Sequence, residues 1–405
     1  MSTTSLLYHG FCMGVVECTK SEFSNGEIIF HVRHKSNRHQ CIHCRSHNVI
    51  LRGRVLRKFR TLPIGLKPCF ISATLHRLKC RDCGCLRQER IGFAESYRRY
   101  TRAFARYVAE LSHLTTIRDL SKHLGVSWSL IREIQEQALK KEFSKIKLKD
   151  LKRLAIDELA FGKGHDYVSI VLDLDSGAAV YVGDGRAAES IKPFFTQLKR
   201  IGARIEAVAT DMAQPYHKAV LETFPKADLV IDRFHVMQLM NNKLTDLRRD
   251  LCDKARKFRH ANVLKGTRWL LLRNAENLDE AKDHKKRLEK ALEFNKPLST
   301  AYYLKEDLRE FWTQGTKKQA DIFLKGWMAR AIASGIRVMK TMANTLQRYR
   351  NYLLNYYNHP ISTAPLEGFN NKAQTMKRQA YGYRNREFYK LKLKTLHVKR
   401  YALLG

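Results

Sequence analysis

Nowhere does the chain carry an apolar run of about eighteen residues, the length a helix needs to cross a bilayer, so no membrane span or membrane partner is expected. The first twenty residues, MSTTSLLYHGFCMGVVECTK, lack a basic segment leading into a sustained apolar stretch, so no secretory signal is expected. There is no repeat of solenoid period and no low-complexity tract. Acidic side chains are scarce: 39 Asp and Glu stand against 75 Lys and Arg, leaving a net charge of +36. Such an excess points to a polyanionic partner, because neutralising a phosphate backbone releases counterions. A basic, ribosome-associated protein is the bland alternative.

The 405 residues suffice for two to four structural units, and a hydrophobic content of 44% is enough for real cores. Charge is distributed unevenly. Residues 31–110 hold 19 basic and 4 acidic side chains and residues 340–400 hold 13 and 2, whereas residues 154–236 hold 9 and 12. A segment that stays acidic inside a basic protein has a reason to keep carboxylates near DNA. Metal ions are the obvious one, because they turn repulsion between carboxylate and phosphate into a bridge.

Nine cysteines are an odd number, and four of them form the pairs Cys41-Ile42-His43-Cys44 and Cys80-Arg81-Asp82-Cys83. Two such pairs can present four thiolates to one tetrahedral ion, which predicts a structural Zn²⁺ rather than disulfides. Cys69, Cys85, His43 and His47 are possible substitutes in the ligand set. Between the pairs runs Leu51–Arg60 (LRGRVLRKFR). Its arginines, Arg52, Arg54 and Arg57 among them, are either a solvated hairpin face or contacts to phosphate; the basic surroundings favour the second.

Thr116–Ile134 reads TIRDLSKHLGVSWSLIREI. Thr116 is placed to cap a first helix, Gly125 to take a left-handed turn, and Ser127 to cap a second helix. This pattern predicts a helix-turn-helix that offers Trp128, Ser129 and Arg132 to a DNA groove. The alternative is an amphipathic helix pair without special purpose.

Further along, Leu154–Leu159, Tyr167–Leu174 and Ala178–Val182 read as three consecutive strands. A helix over Ala188–Ile201, a strand over Ile205–Thr210, a helix over Pro215–Phe224 and a strand over Asp228–Ile231 follow. An antiparallel start that becomes parallel through helical crossovers is the order of a ribonuclease-H-like fold. Asp157 lies mid-strand, with Glu158 pointing to the other face. Asp211 ends the fourth strand, which in this topology lies beside the first. A third carboxylate is expected from a late helix. Ser362–Gly382 supplies Glu367, with Asn371 one turn on and Lys377 and Arg378 further along as phosphate contacts. Three such carboxylates can hold two Mg²⁺ (or Mn²⁺) ions about 3.5–4 Å apart for in-line displacement at phosphorus.

At these residues the chain resembles bacterial insertion-sequence transposases of the ISL-three family, within the wider DDE group. The resemblance covers nearly the whole length. It is carried by the paired cysteines, the helix-turn-helix, Ile156-Asp157-Glu158, Gly164-His165-Asp166-Tyr167-Val168, Gly185-Arg186, Asp211-Met212, Asp232-Arg233-Phe234-His235-Val236 and Leu366-Glu367-Gly368-Phe369-Asn370-Asn371-Lys372. It implies cleavage at the element's terminal inverted repeats and transfer of 3′ ends into target DNA, with Asp157, Asp211 and Glu367 as metal ligands. Asp232 and His235 are similar to a motif that supports the site, and Asn371 and Lys372 fall beside Glu367. Asp232 is the competing choice for second ligand.

The implied organisation is a zinc-binding domain (1–98), a helix-turn-helix domain (99–150), a first core segment (151–238), a helical insertion (239–357) and a C-terminal core segment (358–405). Trp269, Trp312 and Trp327 in the insertion read first as core aromatics, with stacking on DNA as the second reading. The need to hold two DNA ends implies a homodimer or larger homo-oligomer, working in the bacterial cytoplasm at the nucleoid. A DNA-binding regulator or domesticated relative without strand transfer is the alternative function.

Overall fold

The computed structural model describes residues 3–14, 16–34, 39–144, 147–162, 164–256, 267–273, 277 and 283–397. The chain divides into two units. One takes residues 1–145 with 375–392, and the other takes 146–374 with 393–398. Parts of the sequence-predicted helical insertion (257–266, 274–276 and 278–282) and of its C-terminal segment (398–405) lie outside the described residues.

In the first unit, α1 (Thr3–Phe11) precedes β1 (Val16–Ser24), β2 (Glu27–His34), β3 (Val49–Ile64), β4 (Lys67–Cys80) and β5 (Leu86–Gln88). The sheet runs β1-β2-β4-β3, and β5 also pairs with β4. The two-residue alternation of β4 sends Cys69, Ile71, Ala73 and Leu75 into a core with Phe11, Phe30 and Phe59. Burial of each Ile, Leu or Phe side chain there contributes roughly 1.5–3 kcal/mol. Gly65 turns the β3–β4 hairpin with φ +59°, a value that favours glycine.

Three helices follow: α2 (Arg102–Leu111), α3 (Ile117–Leu124) and α4 (Trp128–Phe143). Thr116 Oγ1 accepts from the Asp119 amide at 3.2 Å, and Ser127 Oγ accepts from the Leu130 amide at 3.3 Å, so both predicted caps form. Gly125 closes α3 in the left-handed region, φ +62° and ψ +37°. Phe104, Val108, Leu120, Leu124, Ile131 and Ile134 form the core that fixes the angle between the helices.

The second unit is a mixed α/β structure. Strands β6 (Arg153–Ala160), β7 (Tyr167–Asp173) and β8 (Ala179–Asp184) form an antiparallel meander. Helix α5 (Ala188–Arg200) crosses to β9 (Ala207–Thr210), and α6 (Gln214–Thr223) crosses to β10 (Asp228–Ile231). The sheet order is β10-β9-β6-β7-β8, with β9 parallel to both β6 and β10. Phe194, Phe195 and Leu198 of α5 and Tyr216 and Val220 of α6 pack in one core with Leu154, Ile156 and Val208 of the sheet.

Helices then dominate: α7 (Arg233–Arg256), α8 (Arg268–Leu272), α9 (His284–Phe294), α10 (Lys296–Arg309), α11 (Lys317–Ala333), α12 (Arg337–Leu354), α13 (Ala364–Gln379) and α14 (Arg386–Lys394). Trp327 is fully buried and donates its indole N–H to the Leu304 carbonyl at 2.8 Å, and Trp312 is 7% exposed. Trp269 departs from the core reading: it is 65% exposed on α8, with the Arg268 guanidinium 4.9 Å from its ring. No helix among the described residues is long and apolar enough to cross a membrane.

Candidate active site and metal centre

The long hairpin explains the wide separation of the cysteine pairs. Val49 at the start of β3 is in register with Cys80 at the end of β4, so an excursion out and back returns the second pair to the first. Cys41 Sγ lies 3.6 Å from Cys83 Sγ, and Cys44 Sγ lies 3.5 Å from Cys80 Sγ. A tetrahedral Zn²⁺ with Zn–S bonds of about 2.3 Å requires sulfur atoms about 3.8 Å apart, so the four thiols fit one ion. Asn48 donates to Asp82 at 2.7 Å and the Ser46 hydroxyl also bonds that carboxylate, bracing one cysteine turn against the other. Backbone N–H groups of Cys44 and His43 aim at Cys41 and lower its thiol pKa to about 6, which favours the thiolate a metal needs. Among the described residues, the alternatives Cys69, Cys85, His43 and His47 are not part of this four-sulfur group.

The predicted DNA-contacting residues differ in exposure. Trp128 (57% exposed) and Ser129 stand out from the start of α4. Arg132 is half-buried: its guanidinium lies 5.8 Å from the Phe388 ring and 3.7 Å from Glu136. On β3, Arg52 and Arg54 are exposed beside a break in register at Leu51–Arg54, while Arg57 is half-buried. Arg60 on the same strand is buried and donates to the Leu124 carbonyl at 3.0 Å, so the hairpin is tied to the end of α3. Lys377 is half-buried and Arg378 exposed in the last turn of α13.

Asp157 sits mid-way along β6 and Asp211 directly after β9, the parallel neighbour of β6. Burial pushes the Asp157 carboxyl above its ordinary value; the Glu158 backbone N–H and the nearby His235 oppose this, and the negative charge of Asp211 adds to it. Glu158 is raised as well, first by burial, and it too feels Asp211. The charge of Asp211 thus raises the proton affinity of both carboxylates on β6, the electrostatic effect expected of acidic groups held close together. Tyr216 donates to Glu158 Oε1 at 3.1 Å and contacts the Ser169 hydroxyl at 2.8 Å, so a hydrogen-bonded chain supports Glu158 from within.

The loop carrying Asp211 is held at its backbone. His217 Nε2 lies 2.7 Å from the Asp211 carbonyl, and the Tyr349 hydroxyl donates to the Met212 carbonyl at 3.1 Å. A carbonyl can only accept, so His217 is the donor. Burial depresses its pKa, which keeps the ring neutral. The Asp211 carboxylate itself accepts from the Ala213 amide at 2.9 Å. Neither His217 nor Tyr349 was legible as a site residue, because the histidine sits on a helix face that reads as ordinary core and the tyrosine lies 137 positions from its partner.

Asp232 occupies a different environment. It is 1% exposed, accepts from the Phe234 amide at 3.2 Å at the start of α7, and accepts from the Thr363 hydroxyl at 2.8 Å just before α13. Both contacts use the same oxygen and tie two helices together. Glu367 is exposed in the first turn of α13. From the next turn, Asn370 donates to Asp157 Oδ2 at 2.8 Å. Asn371 is exposed and Lys372 half-buried. Among the described residues, Asp157, Asp211 and Glu367 do not form a group with all ligand oxygens within 4.8 Å.

Comparison with known proteins agrees with this arrangement of parts. A family model described as zinc-finger of transposase IS204/IS1001/IS1096/IS1165 matches residues 37–83, and one described as helix-turn-helix domain of transposase family ISL3 matches residues 89–138. The ISL3 model described as transposase matches residues 154–393. The chain belongs to the ISL3 transposase family. The transposase for insertion sequence element IS1001 of Bordetella parapertussis is 32% identical over 342 residues, 84% of each chain. The transposase for IS1557 of Mycobacterium tuberculosis is 28% identical over 360 residues, 82% of this chain and 80% of that one. The Drosophila P element transposase strand transfer complex aligns with 73% of this chain and 92% of its own at 14% identity, with a TM-score of 0.33, too low to establish a shared fold. An ISL3 transposase is a DNA-binding enzyme of transposition. Its zinc ribbon and helix-turn-helix account for the basic N-terminal unit.

Proposed function

We propose that this ISL3 transposase binds the terminal inverted repeats of its insertion sequence, cleaves DNA phosphodiester bonds there and transfers the 3′ ends into target DNA. The observation that carries this reading is the apposition of Asp157 and Asp211 on neighbouring parallel strands, with Asn370 of the Glu367 helix bonded to Asp157. The strand order and crossovers of the second unit support a ribonuclease-H-like core, with the helices between β10 and α13 as its insertion.

Asp157 and Asp211 would hold divalent ions, Mg²⁺ or Mn²⁺, and Glu367 would complete the set when DNA is bound. Such ions activate the attacking oxygen and stabilise the leaving 3′-oxygen. Asn370 fixes one oxygen of Asp157, and its hydrogen bond favours the ionised carboxylate against the opposing effect of burial. His217 and Tyr349 fix the Asp211 loop from behind, and Asp232 ties α7, which carries His235, to α13, which carries Glu367. The exposed Trp128, Ser129, Arg52 and Arg54 would recognise the transposon end, and holding two ends together implies a homo-oligomer.

Incubating the protein with a DNA fragment that bears the element's end, target DNA and Mg²⁺ tests this. Metal-dependent nicks at the element boundary and joined products are expected, and neither is expected from Asp211→Asn. Binding without cleavage would leave a DNA-binding regulator, and cleavage without joined products would leave a nuclease.

A further inference from the structure

A second cluster of metal-binding side chains lies in the N-terminal unit, outside the four cysteines. His39, His76 and Glu89 bring one ligand atom each within 4.8 Å of the others. His39 Nδ1 is 2.9 Å from one oxygen of Glu89, and His76 Nδ1 is 2.9 Å from the other. The imidazole rings stand edge to face, with centroids 4.9 Å apart. Glu89 is anchored from below: its amide donates to the His76 carbonyl at 2.9 Å, and the His76 amide donates back to its carboxylate at 2.6 Å.

These positions follow from the ribbon. His76 lies on β4 four residues before Cys80, and at about 3.3 Å per strand residue the two are about 13 Å apart. Glu89 directly follows β5, which pairs with β4. His39 lies two residues before Cys41. In a region with 19 basic against 4 acidic side chains, a carboxylate would ordinarily pair with Arg or Lys; Glu89 instead gives both oxygens to imidazoles. Metal–nitrogen and metal–oxygen bonds of about 2.0–2.2 Å place tetrahedral ligands about 3.4 Å apart, a separation compatible with ligand atoms that all lie within 4.8 Å of one another.

We propose that His39, His76 and Glu89 form a second site for a divalent transition ion of the zinc class. Nδ1 of each histidine and a Glu89 oxygen bind the ion, and a water completes it. The three side chains are partly exposed, at 24%, 29% and 19%, so an ion from solution can reach them. It clasps the segment entering the ribbon onto β4 and β5.

Full-length protein carrying Asp211→Asn, which disables the carboxylate site, is loaded with Co²⁺ or Zn²⁺ and freed of excess metal. Two ions per chain are expected. X-ray absorption of the zinc form is expected to show an average shell near half sulfur and half nitrogen or oxygen. Adding Glu89→Gln is expected to leave one ion per chain, with the sulfur-to-cobalt charge-transfer band unchanged. One ion per chain in an all-sulfur shell before that substitution would overturn the proposal without any reliance on the variant, as would two ions retained after it.

Discussion

Asn370 donates its side-chain amide to Asp157 Oδ2 at 2.8 Å, a bond that joins the Glu367 helix to the central strand of the core across 213 positions of sequence. Asn370 therefore links two of the three proposed ligands mechanically. Removing such a partner of a ligating carboxylate typically costs about 10–100-fold in metal affinity or activity. Asn370→Ala is expected to lower Mg²⁺-dependent cleavage by about that factor and to raise the Mg²⁺ concentration needed for half-activity. Asn371→Ala is expected to change both much less. Steady-state cleavage measured across a Mg²⁺ titration checks this.

The grip on the Asp211 backbone predicts a similar separation between position and chemistry. His217→Phe removes the donor to the Asp211 carbonyl while retaining an aromatic ring between Tyr349 and Tyr352. Metal affinity is expected to fall about tenfold or more, with DNA binding unchanged in an electrophoretic shift assay. His217→Gln, which can still donate, is expected to recover part of the loss.

Zinc removal is expected to act on recognition. The four thiols lie at the spacing one tetrahedral ion requires, and metal-binding free energy in such small ribbons is folding free energy. A strong chelator, or Cys83→Ser, is expected to abolish specific binding to the transposon end and to lower the β-sheet signal in circular dichroism. Mg²⁺-independent, zinc-independent end binding at wild-type affinity would contradict this.

Lys392 on α14 gives a pH signature. Burial lowers its pKa to about 8, while an unfolded lysine titrates near 10.4. The folded state therefore holds fewer protons between those values, and stability rises with pH across that window. Below about pH 8 the cost of the buried charge is fully present. Lys392→Met is expected to flatten the rise of Tm between about pH 8 and 10, measured by thermal denaturation in chelator-free buffer.

Much of the core was legible in the sequence because its signals are local. Short β-branched runs broken by Gly and Asp marked β6 to β10, and Thr116, Gly125 and Ser127 marked the helix ends. The four-cysteine group was legible for the same reason. What escaped was fixed by tertiary contact: the Asn370 bond to Asp157, His217 and Tyr349 behind Asp211, and Arg132 lying over the Phe388 ring. A one-residue difference along a helix rotates a side chain by about 100°, and periodicity alone does not choose between neighbours of the same chemistry. The exposed Trp269 escaped likewise, since apolar character says nothing of which face a short helix buries.

Asp157 and Asp211, not Asp232, are the proposed ligands of the catalytic ions, and a metal switch distinguishes the three. Asp157→Cys, Asp211→Cys and Asp232→Cys are each assayed for cleavage of a transposon end in Mg²⁺ and in Mn²⁺, whose tolerance for a sulfur ligand is greater. The first two are expected to lose cleavage in Mg²⁺ and regain part of it in Mn²⁺, while Asp232→Cys, having lost the tie between α7 and α13, is not rescued. Mn²⁺ rescue of Asp232→Cys, or full Mg²⁺ activity in Asp211→Cys, would contradict that assignment.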